Sequence, residues 1–290
     1  MRAGVLLVLS MIAAFGSASC TPQQYRADAP DALDTPLRGE TGVEVQIWTV
    51  TLDPQLMLNA LAEAQRGDEA IANAEAWRAN ALRVFRVDRG RLPELRAAMQ
   101  RTGSVERSWI APDGGWQRLA DSGSSRERLI LLDSGPLPLA GERPELLVRC
   151  WVEPLIADGG VGGRMRVEFL PRIADAGRAP VGFRVDRPGE DGLPLERLSA
   201  SLAALSGEAF IIAPFDPDLR VRTEEEERTG EADQPVGPPA PPRPPHLGET
   251  VLRTGISPRG SYPQRPAARV VVLIPSIPEH YSLLGRRAER

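Results

Sequence analysis

At 290 residues, with 42% hydrophobic and 26% charged side chains, the chain has material for one large domain or two small ones around a packed core. A formal net charge of −4 gives no global electrostatic reason to expect nucleic acid as a partner. Only two cysteines occur, Cys20 and Cys150, so no disulfide framework can form once Cys20 is otherwise engaged.

The first twenty residues carry an address. Arg2 is positive, residues 5–15 are apolar, and Gly16, Ser17, Ala18 and Ser19 are small residues set just before Cys20. The apolar stretch is too short to span a bilayer as a helix, and the order of the three parts is that of a secretory signal. The segment also resembles a bacterial lipoprotein signal, carried by Ala18, Ser19 and Cys20; Ser17 stands where that signal usually has an aliphatic residue. The resemblance implies lipidation of Cys20 and attachment to a membrane of the cell envelope, at the outer membrane or periplasmic face. Several acyl chains hold stably where a single chain does not.

Residues 21–39 are polar, contain Pro22, Pro30 and Pro36, and read as a flexible tether. Residues 43–50 alternate and are rich in β-branched side chains, which predicts a strand. Asp53 and Pro54 fit an N-cap followed by proline at the first helical position, with Leu56, Leu58, Leu61 and Ala64 continuing a helix toward Gly67. A second helix is predicted over 68–80 and a strand over 82–87. Another helix starts near Pro93, with Leu92, Leu95, Ala98 and Met99 as its apolar positions and Gly103 as its stop. Strand, helix, strand, helix is the pattern of a small α/β unit.

Beyond Arg107 the pattern turns to β. Strands are predicted near 128–132, 145–153 and 164–170, the last two joined through the glycine-rich residues 158–163 as a hairpin. That glycine run lacks the Lys-Ser/Thr and the following helix of a phosphate-binding loop. Cys150 lies in an apolar run and is expected to be a buried thiol. Residues 198–205 and 208–213 flank Ser206 and Gly207, which suggests a tight hairpin, although the leucine spacing over 195–205 also permits a short helix. Acidic residues 224–227 and proline-rich residues 237–245 are expected to form an extended, mobile insertion. Residues 270–275 are wholly apolar and read as a buried strand that closes the domain.

The fold class expected is therefore α+β: an N-terminal strand-helix-strand-helix segment, then a mostly antiparallel β-sheet, with a disordered Pro/Glu-rich insertion. The expected organisation is a signal peptide at 1–19, a lipidated N-terminus and tether at 20–41, and an α+β body at 42–221. The insertion follows at 222–248, then a terminal strand and tail at 249–290.

Residues able to carry chemistry are sparse. His246 and His280 are the only histidines, and neither sits in sequence beside a nucleophile or a second metal ligand. No paired-histidine zinc motif, CxxC pair or GxSxG elbow is present. Asp216 and Asp218 stand astride Pro217, a common turn pattern. Trp48, Trp77, Trp109, Trp116 and Trp151 suit core packing as well as a stacking platform. No catalytic residue, cofactor or metal ligand is assigned, and Cys20 is the one site residue.

Four places resemble the C-terminal domain of the secretins, ring-forming channel subunits of the outer membrane. Residues 43–50 are similar to that family's opening strand, and 164–173, ending in Leu170, Pro171, Arg172 and Ile173, to its strand closing on Pro-x-Ile. Residues 206–212 resemble its hairpin turn with Gly-Glu and an apolar continuation. Pro245, His246, Leu247 and Gly248, with residues 270–277 after them, resemble its Pro-x-Leu-Gly segment followed by an apolar strand. The resemblance implies a β-rich envelope module able to self-associate. The functional expectation is a non-catalytic, lipid-anchored envelope protein in scaffolding or assembly. Its partners would be the membrane and either another envelope protein or a second copy. Two alternatives stand beside it: a periplasmic binding module for a small molecule or polysaccharide, and a hydrolase built on a carboxylate pair.

Overall fold

Val43, Val45 and Ile47 point to one side of their strand and Trp48 and Val50 to the other, and all except the partly buried Ile47 are fully buried. A strand buried on both faces lies inside a sheet that is covered twice. That is its position in the computed structural model, which describes residues 25–27, 41–64, 71–101, 103–122, 129–157, 160–175, 192–215, 243–254 and 267–277.

The strands in chain order are β1 (Tyr25–Ala27), β2 (Gly42–Thr51), β3 (Leu82–Asp88), β4 (Val105–Ile110), β5 (Gln117–Asp121), β6 (Leu129–Leu132) and β7 (Gly135–Pro138), then β8 (Arg143–Ala157), β9 (Gly160–Ala174), β10 (Gly192–Pro194), β11 (Ala200–Ala204), β12 (Glu208–Pro214), β13 (Arg253–Thr254) and β14 (Ala267–Ser276). The α-helices among the described residues are α1 (Pro54–Ala64), α2 (Ala74–Ala79), α3 (Leu92–Ala98) and α4 (Leu247–Leu252). A first sheet runs β1-β4-β2-β14-β12-β3, with β13 also on β14. A second sheet runs β10-β9-β8-β5, with β11 also on β9; β6 and β7 form a separate ribbon. Every strand pair is antiparallel. The α+β class with mostly antiparallel sheet is thus what the chain adopts.

Two apolar cores hold the layers together. One lies between the sheets, where Val45, Phe210, Val271 and Leu273 of the first meet Val148, Cys150, Val167 and Phe169 of the second. Trp77 of α2 and Leu247 of α4 join it, and Trp77 packs edge-on against Phe169 at 5.3 Å. The other core lies on the opposite face of the first sheet. There Trp48, Val50, Phe85, Val270 and Val272 meet Met57, Leu58 and Leu61 of α1 and Leu92 and Leu95 of α3. Each such large apolar side chain contributes about 1.5–3 kcal/mol by leaving water.

The local punctuation works as its residue types require. The Leu56 amide donates to Asp53 Oδ1 at 3.0 Å, so Asp53 caps α1 with Pro54 as its first residue. β3 is the last described strand of the first sheet, and the guanidinium groups of its Arg83 and Arg86 lie over Phe215 and Phe210 at 5.7 and 5.9 Å.

Three expectations change. First, β2 and β3 do not form a compact α/β unit, because β14 and β12 stand between them. Second, Ser206 and Gly207 do not close a hairpin. β11 pairs with β9 in the second sheet, whereas β12 pairs with β14 and β3 in the first. The turn is a corner that carries the chain between sheets, with Gly207 at φ +86° and the Leu205 amide bonded to Glu208 Oε2. The burial patterns give the reason: β11 is buried on one face only, whereas β12 is buried on both from Ala209 onward and suits a sheet interior. Third, residues 243–248, expected to belong to a mobile insertion, pack against the body. Pro245 accepts from the Leu131 amide, and Leu247 and Gly248 are buried. A carbon placed at the Cβ position of Gly248 would collide with the Ala81 carbonyl, so this helix approaches the start of β3 through its glycine. The signal, Cys20, the tether apart from residues 25–27, insertion residues 222–242 and the tail beyond 277 lie outside the described residues. Among the described residues no helix is long and apolar enough to cross a membrane.

Candidate functional site

The β8–β9 hairpin holds fifteen register pairs without a bulge, from Arg143↔Ala174 to Ala157↔Gly160. Its inward positions, among them Leu146, Val148, Cys150, Met165 and Val167, belong to the core between the sheets. The alternation of a strand then sends Glu145, Leu147, Arg149, Trp151 and Glu153 to the outer face, opposite Arg172, Leu170, Glu168, Arg166 and Arg164. The outer face therefore carries cross-strand pairs of opposite charge.

The geometry of these pairs is close. Arg149 Nε donates to Glu168 Oε2 at 2.8 Å, and Arg164 Nε to Glu153 Oε2 at 2.8 Å. Arg166 bonds Ser201 Oγ at 2.7 Å, which ties in β11. Glu145 is buried and accepts two bonds from Arg172, at 3.0 and 2.9 Å, and one from Arg118 at 3.4 Å. Arg118 also lies 3.5 Å from Asp121, so these two carboxylates share one guanidinium.

At the centre of the face Arg149 lies over two indoles, 4.6 Å from the Trp116 ring and 5.4 Å from the Trp151 ring. Its side chain is 36% exposed, and both tryptophans are half-buried. Paired to Glu168 and stacked on both rings, the guanidinium is fixed from several sides. The arrangement is a rigid, amphipathic strip on a sheet face, suited to contact with a planar or extended partner.

The residues singled out by sequence are distributed unevenly. Trp116 and Trp151 come together, Trp48 and Trp77 are core, and Trp109 lies on β4 of the first sheet against Gly42. Trp77 donates its indole N–H to the Leu198 carbonyl at 2.7 Å. Cys150 is fully buried beneath the site and its thiol pKa is pushed up to about 12, first by burial and then by the nearby Asp113 carboxylate. His246 opens α4: its backbone amide bonds Glu249 at 2.7 Å and its carbonyl accepts from Thr250. Asp216, Asp218, His280 and Cys20 lie outside the described residues. Among the described residues no three His, Cys, Asp or Glu side chains gather as a metal site. A shallow cleft beside α3 is lined by Pro93, Arg96, Ala97, Gln100 and Arg101.

Sequence reading missed the ladder, yet a signal for it existed. Glu145, Arg149 and Glu153 recur every four residues on one strand, and Arg164, Glu168 and Arg172 recur every four on the next with the signs inverted. No family model, no curated protein and no solved structure matches this chain.

Proposed function

We propose that this chain is an exported bacterial envelope protein, held by a lipid on Cys20 at the outer membrane or periplasmic face. It acts without catalysis, as a scaffold or assembly factor related to the secretins, through contact with another envelope protein or a second copy. The observation that carries the contact role is the Trp116–Arg149–Trp151 strip on the outer face of the second sheet. Tryptophan and arginine dominate the energetics of protein contacts, and here both are prealigned, so little side-chain entropy is lost on docking.

Support for the secretin relation comes from the placement of the similar segments. Of the similar segments, 43–50, 206–212 and 270–277 lie in or run into β2, β12 and β14, with β14 between the other two, whereas 164–173 lie in β9 of the second sheet. The corner at Ser206 and Gly207 departs from the hairpin of that family, and the relation is proposed for the strands rather than for the turn.

The test has two arms. Cys20→Ala is expected to move the protein from the membrane to the soluble fraction; continued membrane association would remove the lipid anchor. A photoreactive residue at position 151 is expected to give a discrete adduct in cells, lost on Arg149→Glu. No adduct at 151 would remove the contact role. The same two indoles favour a second reading, a binding module for polysaccharide. Quenching of tryptophan emission by soluble envelope polysaccharide, abolished in Trp151→Ala, would select it.

A further inference from the structure

The β8–β9 hairpin extends past the rest of its sheet. β5 pairs with β8 from Val148 to Glu145, and β11 pairs with β9 from Met165 to Phe169. Beyond Trp151 on one strand and Met165 on the other, no described strand flanks the hairpin on either side. The remaining pairs, Glu153↔Arg164 to Ala157↔Gly160, form a two-stranded arm. Isolated two-stranded ribbons are marginal in water, and their outer edges present unpaired backbone groups.

The two edges of the arm are chemically unequal. The Cys150 and Pro144 carbonyls accept from Gly114 and Ser122 on the β5 side, so even-numbered residues of β8 turn their backbone groups to that edge. Pro154 is one of them, and it has no N–H to offer there. On β9 the Pro171 carbonyl accepts from the Leu195 amide, so odd-numbered residues turn away from β8. Gly163, the register partner of Pro154, therefore directs both its N–H and its C=O outward, as does the backbone at 161. Residues 160–164 read Gly-Val-Gly-Gly-Arg, and the Arg164 side chain is held by Glu153 within the arm. One edge is closed by proline, while no described strand pairs with the other, where residues 160–163 include three glycines.

We propose that this open edge pairs with the same edge of a second copy, antiparallel about a two-fold axis at Gly162, joining two second sheets into one. The proposal rests on the second-copy option of the reading above and adds to it a surface distinct from the Trp116–Arg149–Trp151 strip. The register is self-complementary. Position 161 of each copy faces Gly163 of the other and exchanges both backbone bonds, while the two Gly162 residues meet as a non-hydrogen-bonded pair. Glycine lets the backbones approach without side chains between them. A two-fold axis also closes the assembly at a dimer and leaves the Pro154 edges outward, where further strand addition is blocked.

The geometry sets the experiment. At a non-hydrogen-bonded pair the two Cα atoms lie about 4.5 Å apart, within disulfide reach. Among the described residues, a Cβ at Gly162 meets only the Leu155 carbonyl oxygen at 3.9 Å, which leaves room for Gly162→Cys. Cys150 is buried and does not compete. In the full chain carrying Cys20→Ala, Gly162→Cys is expected to yield a disulfide-linked dimer on mild oxidation. Adding Gly163→Pro, which removes the outward N–H as Pro154 does on the other edge, is expected to abolish it. The thermal unfolding midpoint of the chain with Gly163→Pro, compared with that of its parent, establishes that the variant is folded. Absence of the linked dimer in Gly162→Cys, or its persistence with Gly163→Pro, overturns edge pairing. Sedimentation of the chain with Gly162 intact separates the two levels of the reading: association without crosslinking at 162 keeps self-association and removes the arm, whereas a monomer removes both.

Discussion

Arg107 and Glu44 meet on neighbouring strands at 2.8 and 2.6 Å, and each is only about 4% exposed. Gln46 donates to Glu44 and Trp48 donates to Gln46, so one polar chain crosses a face that is otherwise apolar. Removing one member of a buried pair leaves a charge in low dielectric, and Arg107→Ala is expected to cost about 3–5 kcal/mol. The double change Glu44→Leu with Arg107→Met should recover most of that loss, as read from urea unfolding midpoints. At Cys150 the thiol is held protonated, its pKa raised from 9.0 to about 12 by burial and by Asp113. Below pH 9 both folded and unfolded states carry the proton, and stability is independent of this group. Between pH 9 and about 12 the unfolded chain loses the proton and the folded chain keeps it, so stability falls as pH rises. A thiol-reactive dye at pH 8 should label Cys150 only on unfolding, and rapid labelling of the native protein would contradict the buried position.

The charged ladder belongs to the scale of the element. Each outer pair of β8 and β9 is a cross-strand neighbour, and such pairs carry roughly 0.2–1 kcal/mol each. Arg149→Glu places like charges opposite one another and should cost about 1 kcal/mol. Exchanging both residues, Arg149→Glu with Glu168→Arg, should restore much of the stability while changing the charge shown to a partner. Equal loss in the single and double variants would mean that the indole stacking, rather than the ion pair, fixes this arginine. The inverted four-residue spacing of charge on these strands was legible before any fold was known. Its meaning was not, because a register is needed before two spaced sets can be laid opposite one another. The corner at Gly207 shows the same limit: a Ser-Gly turn between apolar runs is compatible with a hairpin or with a change of sheet. Only the two-sided burial of β12 decides between them.

At the scale of the whole molecule, β14 is the member on which the first sheet depends. It pairs along its full length with β2, and with β12 from Val271 to Leu273, and it lies almost wholly buried between them. Deletion of residues 267–290 removes a central strand and exposes both cores. The shortened chain is expected to lose its cooperative thermal transition and to expose apolar surface to a fluorescent probe. A cooperative transition like that of the full chain would refute the central placement of β14. Because β2 and β14 lie more than two hundred residues apart in sequence, the pairing is strongly non-local and folding is expected to be slow.

Composition and periodicity alone marked the types of several elements. Alternation marked β2 and β3; strands joined through a glycine-rich loop marked β8 and β9; an unbroken apolar run marked β14; and an Asp-Pro pair marked the start of α1. These properties depend on neighbours within a few residues. Strand order, the corner between the sheets, the burial of Leu247 and Gly248, and the meeting of Trp116, Arg149 and Trp151 depend on contacts between distant segments. Burial of both faces of the first sheet selects the strand order and the corner, and pairing of β5 beside β8 brings the two indoles to Arg149; both are properties of the packed layers rather than of any stretch of chain.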